Sequence, residues 1–415
     1  MELTVMKFGG TSVANAELIH RAARRAIQAK MAGHKVVMVV SAMGKTTDKL
    51  IDLAKQISDD PPRRELDMLL TTGEQVSISL MAMAIHAAGH EAISLTGGQV
   101  GLITDTAHTR ARIKKIDAER IRAELDRGRI VIVAGFQGVD ENGEITTLGR
   151  GASDTTAVAL AAVLNAKRCE INTDVDGVYT TDPRIEPKAR KIDVISYDEM
   201  LELASLGAGV MHSRAIEFGK KYGVEIHVRS SFSDSPGTII TQEVRQMEDI
   251  VVSGATVKKD MTQIVLLGLP NRPGVAGSIF ARVAEHGIVV DDIIQTLDES
   301  GLASTSFTIE RTYLAESKLL VEEIRKEFDL RDVIFISPVA KVSVVGVGMR
   351  SHTGVALKMF RALADAQINI NAITTSEIKI SCIIGSAEAD KALRVVHAAF
   401  ELDKEPASNG EKNQG

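Results

Sequence analysis

The sequence predicts an α/β fold in which a first domain, with a mainly parallel β-sheet sandwiched by helices, is followed by two smaller α+β units. From residue 3 to about 245, short β-branched runs alternate with amphipathic helical stretches, which is the pattern of an α/β domain. Beyond that region the chain repeats itself at an offset of 80 residues. Such an internal duplication indicates two copies of one small structural unit.

Composition and charge narrow the classes of function. The chain has 415 residues, enough for two or three domains, with 44% apolar and 25% charged residues and a formal net charge of -6. Aromatic residues make up only 3% and Trp is absent, so platforms for stacking bases are not expected. Cys169 and Cys382 lie far apart, and no apolar stretch reaches the length of a transmembrane helix. We therefore expect a cytoplasmic protein with a small-molecule partner, without nucleic acid, membrane or a zinc site.

Six strand-like runs form the predicted sheet of the first domain. Several of them end directly in Gly, Ser or Thr before a helical pattern, and ligands of such sheets bind at these carboxyl ends. A connecting helix over Ser77–Ala88 is expected to fill the core rather than to hold a cofactor. The six runs are Leu3–Phe8, Lys35–Ser41, Ala92–Leu95, Ile130–Gly135, Cys169–Thr173 and Val224–Val228.

A domain boundary is predicted within residues 233–249, where apolar periodicity is lost and Pro236 and Gly237 occur. Each copy of the duplication that follows has a strand, a Gly-containing turn, a helix and another strand. These elements are Ile264–Leu269, Val275–Glu285 and Val289–Ile294 in the first copy, and Val342–Val347, Val355–Asp365 and Ile370–Thr375 in the second. The polar residues at the end of the chain predict a disordered tail.

The first strand runs into a turn that is suited to an anion. Lys7 ends the strand, and Gly9 and Gly10 let backbone N–H groups approach a phosphate closely before the next helix, which is expected from about Ala14. Phosphate binding is one reading. The other is a plain Gly-Gly turn in which Thr11 or Ser12 caps that helix.

Two later segments carry charged and hydroxyl side chains. Residues 147–156 place Arg150 and Asp154 before an apolar helix over Ala157–Leu164; Arg150 can clamp a carboxylate, whereas Asp154 is either functional or a capping group at the helix N-terminus. Residues 173–184 follow a strand and are rich in turn formers. They form either an ordered structural loop or a site for a nucleotide.

Five segments, in this order, resemble the motifs of the aspartokinases, members of the amino acid kinase family. They are Lys-Phe-Gly-Gly-Thr-Ser at 7–12, Val-Ser-Ala-Met-Gly-Lys-Thr-Thr-Asp at 40–48, Thr-Thr-Gly-Glu at 71–74, Gly-Arg-Gly-Ala-Ser-Asp-Thr-Thr at 149–156 and Thr-Asp-Val-Asp-Gly-Val-Tyr-Thr-Thr-Asp-Pro-Arg at 173–184. The duplicated units resemble paired ferredoxin-like ACT domains. The resemblance implies a kinase domain over 1–245, ACT domains over 262–337 and 338–403 with strand 250–257 added to the second, and a tail over 404–415.

The resemblance further implies ATP-dependent phosphorylation of the side-chain carboxylate of L-aspartate to 4-phospho-L-aspartate, with Mg²⁺, as the first step toward lysine, threonine and methionine. The chemistry suits the residues. An aspartate side chain is already ionised at pH 7, since its ordinary pKa is about 3.9, so no general base is required. Catalysis is then expected to be positioning and charge stabilisation.

The same resemblance distributes roles over the site. Lys7 would act on the transferring phosphoryl group and Asp154 would orient Lys7 or the metal ion, with no dedicated protein metal site. Arg150 would bind the α-carboxylate of aspartate and Glu74 its ammonium, completed by Ser41, Thr47 and Ser153. The nucleotide would contact Lys7, Gly9, Gly10, Thr173, Asp174, Tyr179, Asp182 and Arg184. Gly209 departs from the family pattern, because some members have a lysine there that contacts ATP.

The ACT resemblance implies lysine, threonine or both as feedback effectors, and at least a homodimer formed through these domains. The expected effector residues lie in the two turns and in strand-like segments: Asn271, Gln295, His352, Thr353, Asn369, Ile370 and Asn371. Plain turns and solvated strand faces are the alternative.

Two other functions stay open at this stage. One is a kinase of the same fold that phosphorylates a different acid, which the roles of Glu74 and Arg150 would distinguish. The other is an amino-acid sensor whose kinase half has lost activity, against which the intact Lys7, Arg150 and Asp154 count.

Overall fold

The computed structural model describes residues 2–149, 151–207, 210–242, 251–350, 352 and 354–405. They fall into two compact units. Unit 1 comprises Met1–Tyr179, Lys191–Ser205 and Gly209–Arg245, and unit 2 comprises Thr180–Arg190, Leu206–Ala208 and Gln246–Gly415. The short segment Thr180–Arg190 therefore belongs to unit 2, although unit 1 precedes and follows it in sequence.

Unit 1 alternates strands and helices, as the sequence predicts. Its strands are β1 (Leu3–Phe8), β2 (Lys35–Val40), β3 (Ala92–Leu95), β4 (Leu102–Thr104), β5 (Ile113–Ile116), β6 (Ile130–Ala134), β7 (Gln137–Val139), β8 (Ile145–Thr147), β9 (Arg168–Thr173), β10 (Val178–Tyr179), β11 (Lys191–Ile192), β12 (Val194–Ser196), β13 (Glu225–Ser230) and β14 (Thr238–Thr241). Its helices are α1 (Ala16–Met31), α2 (Thr46–Ile57), α3 (Arg63–Leu70), α4 (Thr72–Ala87), α5 (Glu119–Asp126), α6 (Ala152–Val163), α7 (Tyr197–Ser205) and α8 (Ser213–Tyr222).

The main sheet positions the site. Within the described residues it has eight strands in the order β12-β14-β13-β9-β1-β2-β6-β3, and only the β13–β14 pair is antiparallel. The predicted α/β class is confirmed. Because β1 lies between β9 and β2, the turns after these three strands meet at one edge of the sheet.

The helix that follows the glycine turn begins later than predicted. A short 3-10 helix over Gly10–Val13 intervenes, and α1 starts at Ala16 with Asn15 as its N-cap, whose side chain accepts a hydrogen bond from the Leu18 N–H. Capping by Thr11 or Ser12 is therefore wrong. Ser12 is instead buried against the end of β9, where its hydroxyl faces the Asn172 carbonyl oxygen.

Helix α6 begins earlier than predicted, at Ala152, so that Asp154 lies in its first turn. Helix α4 likewise begins at Thr72 and runs to Ala87, with Ile78, Met81 and Ile85 in the core. An 18-residue window within Arg63–Ala87 has a mean hydropathy of 1.3, enough by length and composition alone to span a membrane. The run Arg63–Ala87 consists of α3 and α4, and α4 packs against α1 in the core of unit 1. Core packing accounts for its apolar composition.

Unit 2 forms one six-stranded antiparallel sheet within its described residues, in the order β16-β17-β15-β18-β20-β19. Its strands are β15 (Gly254–Leu269), β16 (Val290–Leu297), β17 (Ala303–Glu310), β18 (Asp332–Val345), β19 (Ala372–Thr375) and β20 (Lys379–Gly385). Its helices are α9 (Val275–Glu285), α10 (Leu314–Phe328), α11 (Val355–Asp365) and α12 (Ala389–Ala399). The predicted helices of the two repeats, α9 and α11, are confirmed.

The two long strands of unit 2 are longer than predicted, because each serves both repeats. The first half of β15 pairs with the second half of β18, and the second half of β15 pairs with the first half of β18. Two hydrophobic clusters result: one contains Ile264 and Ile279, and the other contains Val342 and Met359. Val252 and Ala255 pack in the second cluster.

Candidate active site

The turn after β1 is held tightly between two neighbouring strand ends. The Gly9 N–H donates to the Asn172 carbonyl oxygen at 3.2 Å, and the Gly44 N–H donates to the Gly10 carbonyl oxygen at 2.9 Å. A Cβ added at Gly10 would lie 2.8 Å from the Ala42 carbonyl oxygen. The second glycine is therefore required for the close approach of the loops after β1 and β2.

Lys7 and Asp154 form a buried ion pair beside this turn. The Lys7 Nζ lies 2.6 Å from the Asp154 Oδ1, and the two residues are 9% and 6% exposed. Lys7 is supplied by the end of β1 and Asp154 by the first turn of α6, where the helix dipole favours a carboxylate. The arrangement fixes an ammonium group at the carboxyl end of the sheet.

A cleft of about 430 Å³ opens at this point within unit 1. Side chains that the sequence assigns to catalysis or substrate binding line it together: Lys7, Ser41, Thr47, Glu74 and Ser153. An apolar wall faces them, formed by Ile51, Leu66, Leu70 and Phe136. The cleft can therefore hold a small polar molecule against the Lys7 ammonium.

Glu74 presents a buried and incompletely bonded carboxylate to the cleft. Its side chain is on α4, it is 3% exposed, and its Oε1 accepts a hydrogen bond from the Ala42 N–H at 3.1 Å. Its Oε2 has no hydrogen-bond partner among the described residues. Burial raises the pKa of Glu74 to about 7. A cation delivered by a ligand would satisfy this group.

Arg150, the predicted carboxylate clamp, lies outside the described residues. Its two neighbours, Gly149 and Gly151, have φ values of +87° and +68°, a region that favours glycine. A Cβ at Gly151 would lie 2.6 Å from the His212 ring, so this turn passes close to α8. Gly209 and Thr353 also lie outside the described residues.

Asp67 is a site-supporting residue that the sequence did not reveal. It is fully buried on α3 and accepts hydrogen bonds from the Thr147 hydroxyl at 2.6 Å and from the Thr109 N–H at 3.0 and 3.1 Å. The His108 Nδ1 lies 2.9 Å from the Asp67 Oδ2. Thr109 and Thr147 both line the cleft, and Thr109 has a φ of +68°. Asp67 thus holds one wall of the cleft in place.

Arg214 of α8 is a second residue that sequence reasoning missed. Its guanidinium donates to the Leu148 carbonyl oxygen at 2.8 Å and to the Ala111 carbonyl oxygen at 3.3 Å. Leu148 directly precedes the Gly149–Gly151 turn. Neither Arg214 nor Asp67 lies in a Gly-rich motif, so only their tertiary contacts identify them.

The candidate nucleotide segment is divided between the units. Thr173, Asp174 and Tyr179 belong to unit 1, where the Thr173 hydroxyl donates to the Asp174 carboxylate at 3.2 Å. Asp182 and Arg184 belong to unit 2 and form an ion pair of 2.7 Å. The hydrogen bonds from Arg184 lower the pKa of Asp182.

The rest of the Thr180–Arg190 segment is fastened inside unit 2. The Thr180 carbonyl oxygen accepts from the Ala255 N–H at 2.7 Å, and the Thr180 hydroxyl lies 3.0 Å from the His397 Nε2. Arg394 donates to the Ile185 carbonyl oxygen at 3.1 Å. Helix α12 therefore holds part of the candidate nucleotide segment.

In unit 2, a cavity of about 340 Å³ lies at the first of the two predicted effector turns. It is lined by residues 269–276 together with Gln295, Ala303 and Thr305, so Asn271 and Gln295 face the same space. The Thr305 hydroxyl donates to the Gln295 Oε1 at 3.2 Å.

The candidate effector residues of the second repeat are more exposed to solvent. His352, Asn369 and Asn371 are exposed, and Ile370 is half-buried against the second hydrophobic cluster. The His352 Nδ1 lies 2.9 Å from the Gly348 carbonyl oxygen, and the Asn371 N–H donates to the Ile383 carbonyl oxygen at 2.8 Å.

Both cysteines are free and buried, as expected for structural thiols. Burial raises the pKa of Cys382 to about 12 and raises that of Cys169 as well. Neither thiol is poised as a nucleophile.

Comparison with known proteins assigns the two parts of the chain to known families. Residues 2–230 match the model of the amino acid kinase family, and residues 263–329 and 342–400 each match an ACT domain. An aspartokinase of Bacillus sp. (strain MGA3) is 52% identical over 402 residues, which cover 97% of this chain and 98% of the relative. An aspartate kinase of Pseudomonas putida is 49% identical over 412 residues, covering 99% of this chain and all of the relative.

A solved structure is similar over almost the same span. The crystal structure of E. coli aspartokinase III in complex with aspartate and ADP, described as the R-state, has a TM-score of 0.82 and 25% identity, and covers 96% of this chain and 99% of that one. The fold of both units is thus found in one relative. The chain belongs to the amino acid kinase family, among its aspartokinases, with two ACT domains.

Proposed function

We propose that the protein is an aspartate kinase, which transfers the γ-phosphoryl group of ATP to the side-chain carboxylate of L-aspartate. The single observation that carries this is the cleft lined both by Lys7, which Asp154 holds in an ion pair, and by Glu74, whose carboxylate is unsatisfied among the described residues. The aspartate and ADP bound to the E. coli relative support the choice of both substrates.

The substrate pocket is suited to a free amino acid. The ammonium of aspartate would pair with Glu74, whose buried carboxylate needs a cation, and Ser41, Thr47 and Ser153 would add hydrogen bonds along the cleft. Arg150 is proposed to bind the α-carboxylate in a bidentate manner. These contacts leave the side-chain carboxylate of aspartate directed at Lys7.

The reaction requires little covalent catalysis by the protein. An oxygen of the ionised side-chain carboxylate attacks the γ-phosphorus, the bond from phosphorus to the β,γ-bridging oxygen breaks, and ADP leaves with that electron pair. Lys7 stabilises the charge on the transferred group, and Asp154 keeps the Lys7 ammonium in position. No proton has to be removed from the nucleophile.

The phosphates of ATP are proposed to rest on Gly9 and Gly10, with Thr173, Asp174, Tyr179, Asp182 and Arg184 toward the rest of the nucleotide. Among the described residues no group of three or more His, Cys, Asp or Glu is placed to hold a metal ion. Mg²⁺ is proposed to arrive with ATP, because Mg²⁺ is usually held by substrate phosphates, waters and one or two carboxylates. When bound, it would neutralise phosphate charge.

Regulation is proposed to act through unit 2, with lysine, threonine or both as effectors. A lysine complex of the E. coli relative, described as the T-state, has a TM-score of 0.76, and supports lysine. The cavity with Asn271 and Gln295 is the proposed effector site in the first repeat, with His352, Thr353, Asn369, Ile370 and Asn371 in the second. We further propose a cytoplasmic homodimer or larger assembly formed through the ACT domains.

A direct assay tests the function. The purified protein is incubated with ATP, Mg²⁺ and one amino acid at a time, and hydroxylamine traps any acyl phosphate formed. Turnover is expected with aspartate and not with glutamate. Equal turnover with glutamate would contradict the substrate assignment, and no turnover with any acid would favour a sensor without kinase activity.

A further inference from the structure

A second cavity of unit 1 is built around α1 and borders the glycine turn of the candidate active site, since Phe8 and Ser12 line it. Its volume is about 240 Å³, and among the described residues it shares no lining residue with the cleft. It lies between about three turns of α1 and the loop that follows β13. The polar residues that line it are Ser12, Arg21, Arg24, Arg25, Gln28, Ser231, Ser233 and Asp234.

The arginines of this cavity carry charge that the protein does not neutralise by ion pairs. Arg21 donates to the Phe232 carbonyl oxygen, and Arg25 donates to the Asn172 Oδ1 at 2.7 Å and to the Ser230 carbonyl oxygen at 2.8 Å. Within the described part of the chain, neither these two nor Arg24 forms an ion pair with a carboxylate. Asp234 is the one acidic side chain in the described lining, against three guanidinium groups.

The surroundings of Arg25 carry charges of both signs. Arg229 lies close enough to act on Arg25, and its own counter-charge is Glu170, at 3.4 Å. Burial, followed by repulsion from Arg229, lowers the pKa of Arg25, whereas Glu170 and Asp234 act in the opposite direction. A negative ligand in the cavity would offset the repulsion and favour the charged form of Arg25.

Hydroxyl groups complete the lining. Ser12 and Ser231 are 2% and 9% exposed, and the Ser231 hydroxyl donates to the Ser12 Oγ at 2.6 Å. The Ser233 hydroxyl donates to Asp176. The Ser12 hydroxyl faces the Asn172 carbonyl oxygen, so all three hydroxyl hydrogens are donated within the protein, and the guanidinium N–H groups are the donors that remain for an oxyanion.

We propose that this cavity is a binding site for a small dianionic oxyanion of the phosphate class. The three guanidinium charges and one carboxylate leave an excess of two positive charges in the lining. A phosphoryl group carries about −1.5 to −2 at pH 7, which matches that excess. The site rests on unit 1 alone and does not require that the kinase assignment be correct.

The experiment is a calorimetric titration of the full chain with inorganic phosphate at constant ionic strength. Saturating ADP is present, so that the anion-binding groups of the cleft are occupied. Arg24→Gln is the informative variant, because Arg24 lines the cavity, is exposed and makes no side-chain hydrogen bond to any other described residue. Arg120→Gln, on the exposed face of α5, is the matched control.

Phosphate binding that Arg24→Gln weakens by about tenfold, and that Arg120→Gln leaves within about twofold, supports the site. Equal affinity in the three proteins would overturn it, as would the loss of phosphate binding on adding ADP, since the anion would then belong to the nucleotide site. Parallel titrations use malonate and chloride. Weaker binding of malonate than of phosphate supports the phosphate class, and binding of chloride as tight as that of phosphate overturns a specific site. If ADP itself does not bind, the kinase assignment fails, and the comparison of Arg24→Gln with Arg120→Gln still decides this proposal.

Discussion

The Lys7 Nζ and the Asp154 Oδ1 lie 2.6 Å apart, at the point where β1 ends and α6 begins. Both residues are buried, so each charge depends on the other for compensation. The pair joins two segments 147 positions apart in sequence and fixes the one lysine that lines the described part of the cleft.

Removing either partner of this pair should impair turnover strongly. We expect Lys7→Ala to lower kcat by about 10²- to 10³-fold, because one preorganised charge on the transferred group is lost. Asp154→Asn should lower kcat as well, since the ammonium loses its anchor. Acyl phosphate formation at saturating ATP and aspartate measures both.

Lys35 and Asp126 supply a matched control. They form an ion pair of the same 2.6 Å length, but their side chains are 35% and 67% exposed. Lys35→Ala should leave kcat unchanged and cost at most about 1 kcal/mol of stability. An equal loss of kcat in Lys7→Ala and Lys35→Ala would contradict the assigned role of Lys7.

Aspartate binding should be coupled to the ionisation of Glu74. The pKa of Glu74 is raised to about 7 by burial, so near neutral pH the free protein holds a proton there in part. An ammonium bound beside the carboxylate would favour its charged form and release that proton. Calorimetry in buffers of different ionisation enthalpy should detect the release in the wild type and not in Glu74→Gln.

The same raised pKa has a consequence for stability without ligand. Between the ordinary value of 4.5 and about 7 the folded protein binds more protons at Glu74 than the unfolded chain does. The contribution of Glu74 to the free energy of unfolding therefore falls as the pH rises through this range. Glu74→Gln should lose that pH dependence. If the free energy of unfolding, measured in urea, changes with pH in the variant as it does in the wild type, the burial argument is contradicted.

Asp67 should control the affinity for aspartate more than the rate. Asp67→Ala leaves the half-buried Thr109 N–H and the buried Thr147 hydroxyl without an acceptor, at a cost of about 1–3 kcal/mol for the buried hydroxyl. The cleft wall then loosens, so KM for aspartate should rise by more than kcat falls. Asp59→Ala, an exposed carboxylate, is the control. A purely structural role would lower stability with both kinetic constants intact.

Gly10→Ala should weaken nucleotide binding. The new methyl group would lie 2.8 Å from the Ala42 carbonyl oxygen and 3.0 Å from the Gly44 carbonyl oxygen, so the turn has to move. Gly277→Ala in α9 meets no atom within 4 Å and should leave ADP affinity as it is. Titration with ADP compares the two, and unchanged affinity in Gly10→Ala would remove the glycine turn from the nucleotide site.

His397 should make unit 2 sensitive to acid. Burial lowers the pKa of His397 from its ordinary value of 6.5, while Glu186 and Asp403 act to raise it and Arg190 to lower it. The unfolded chain therefore takes up a proton that the folded chain does not, and stability falls as the pH drops below 6.5. His397→Gln should flatten this dependence in urea unfolding, and exposed His20→Gln should not.

The sequence predicted the fold where local pattern decides structure. The β1, β2, β3, β6, β9 and β13 runs are short, apolar and bounded by turn formers, and helices α9 and α11 follow a glycine at a positive φ. The lengths of β15 and β18 were not predicted, because they follow from pairing between two repeats and not from either repeat alone.

The candidate site was predicted to the extent that it lies in motifs. Lys7, Ser41, Thr47, Glu74 and Ser153 meet in one cleft. Asp67 was not predicted, because in the sequence it is an ordinary charged residue of a helix. Its role depends on hydrogen bonds from Thr109 and Thr147, which lie 42 and 80 positions away. No local pattern encodes such distances.

The placement of Thr180–Arg190 in unit 2 means that the two parts of this chain are not separable at residue 245. A chain truncated there would keep the segment but lose Ala255, Arg394 and His397, which hold it by hydrogen bonds. Two of the residues proposed to meet the nucleotide, Asp182 and Arg184, would then lie in a segment held only at its base, by the pairing of β10 with β11 and by hydrogen bonds between Thr180 and Arg190. A segment that carries two proposed nucleotide residues therefore depends on hydrogen bonds from residues beyond 245.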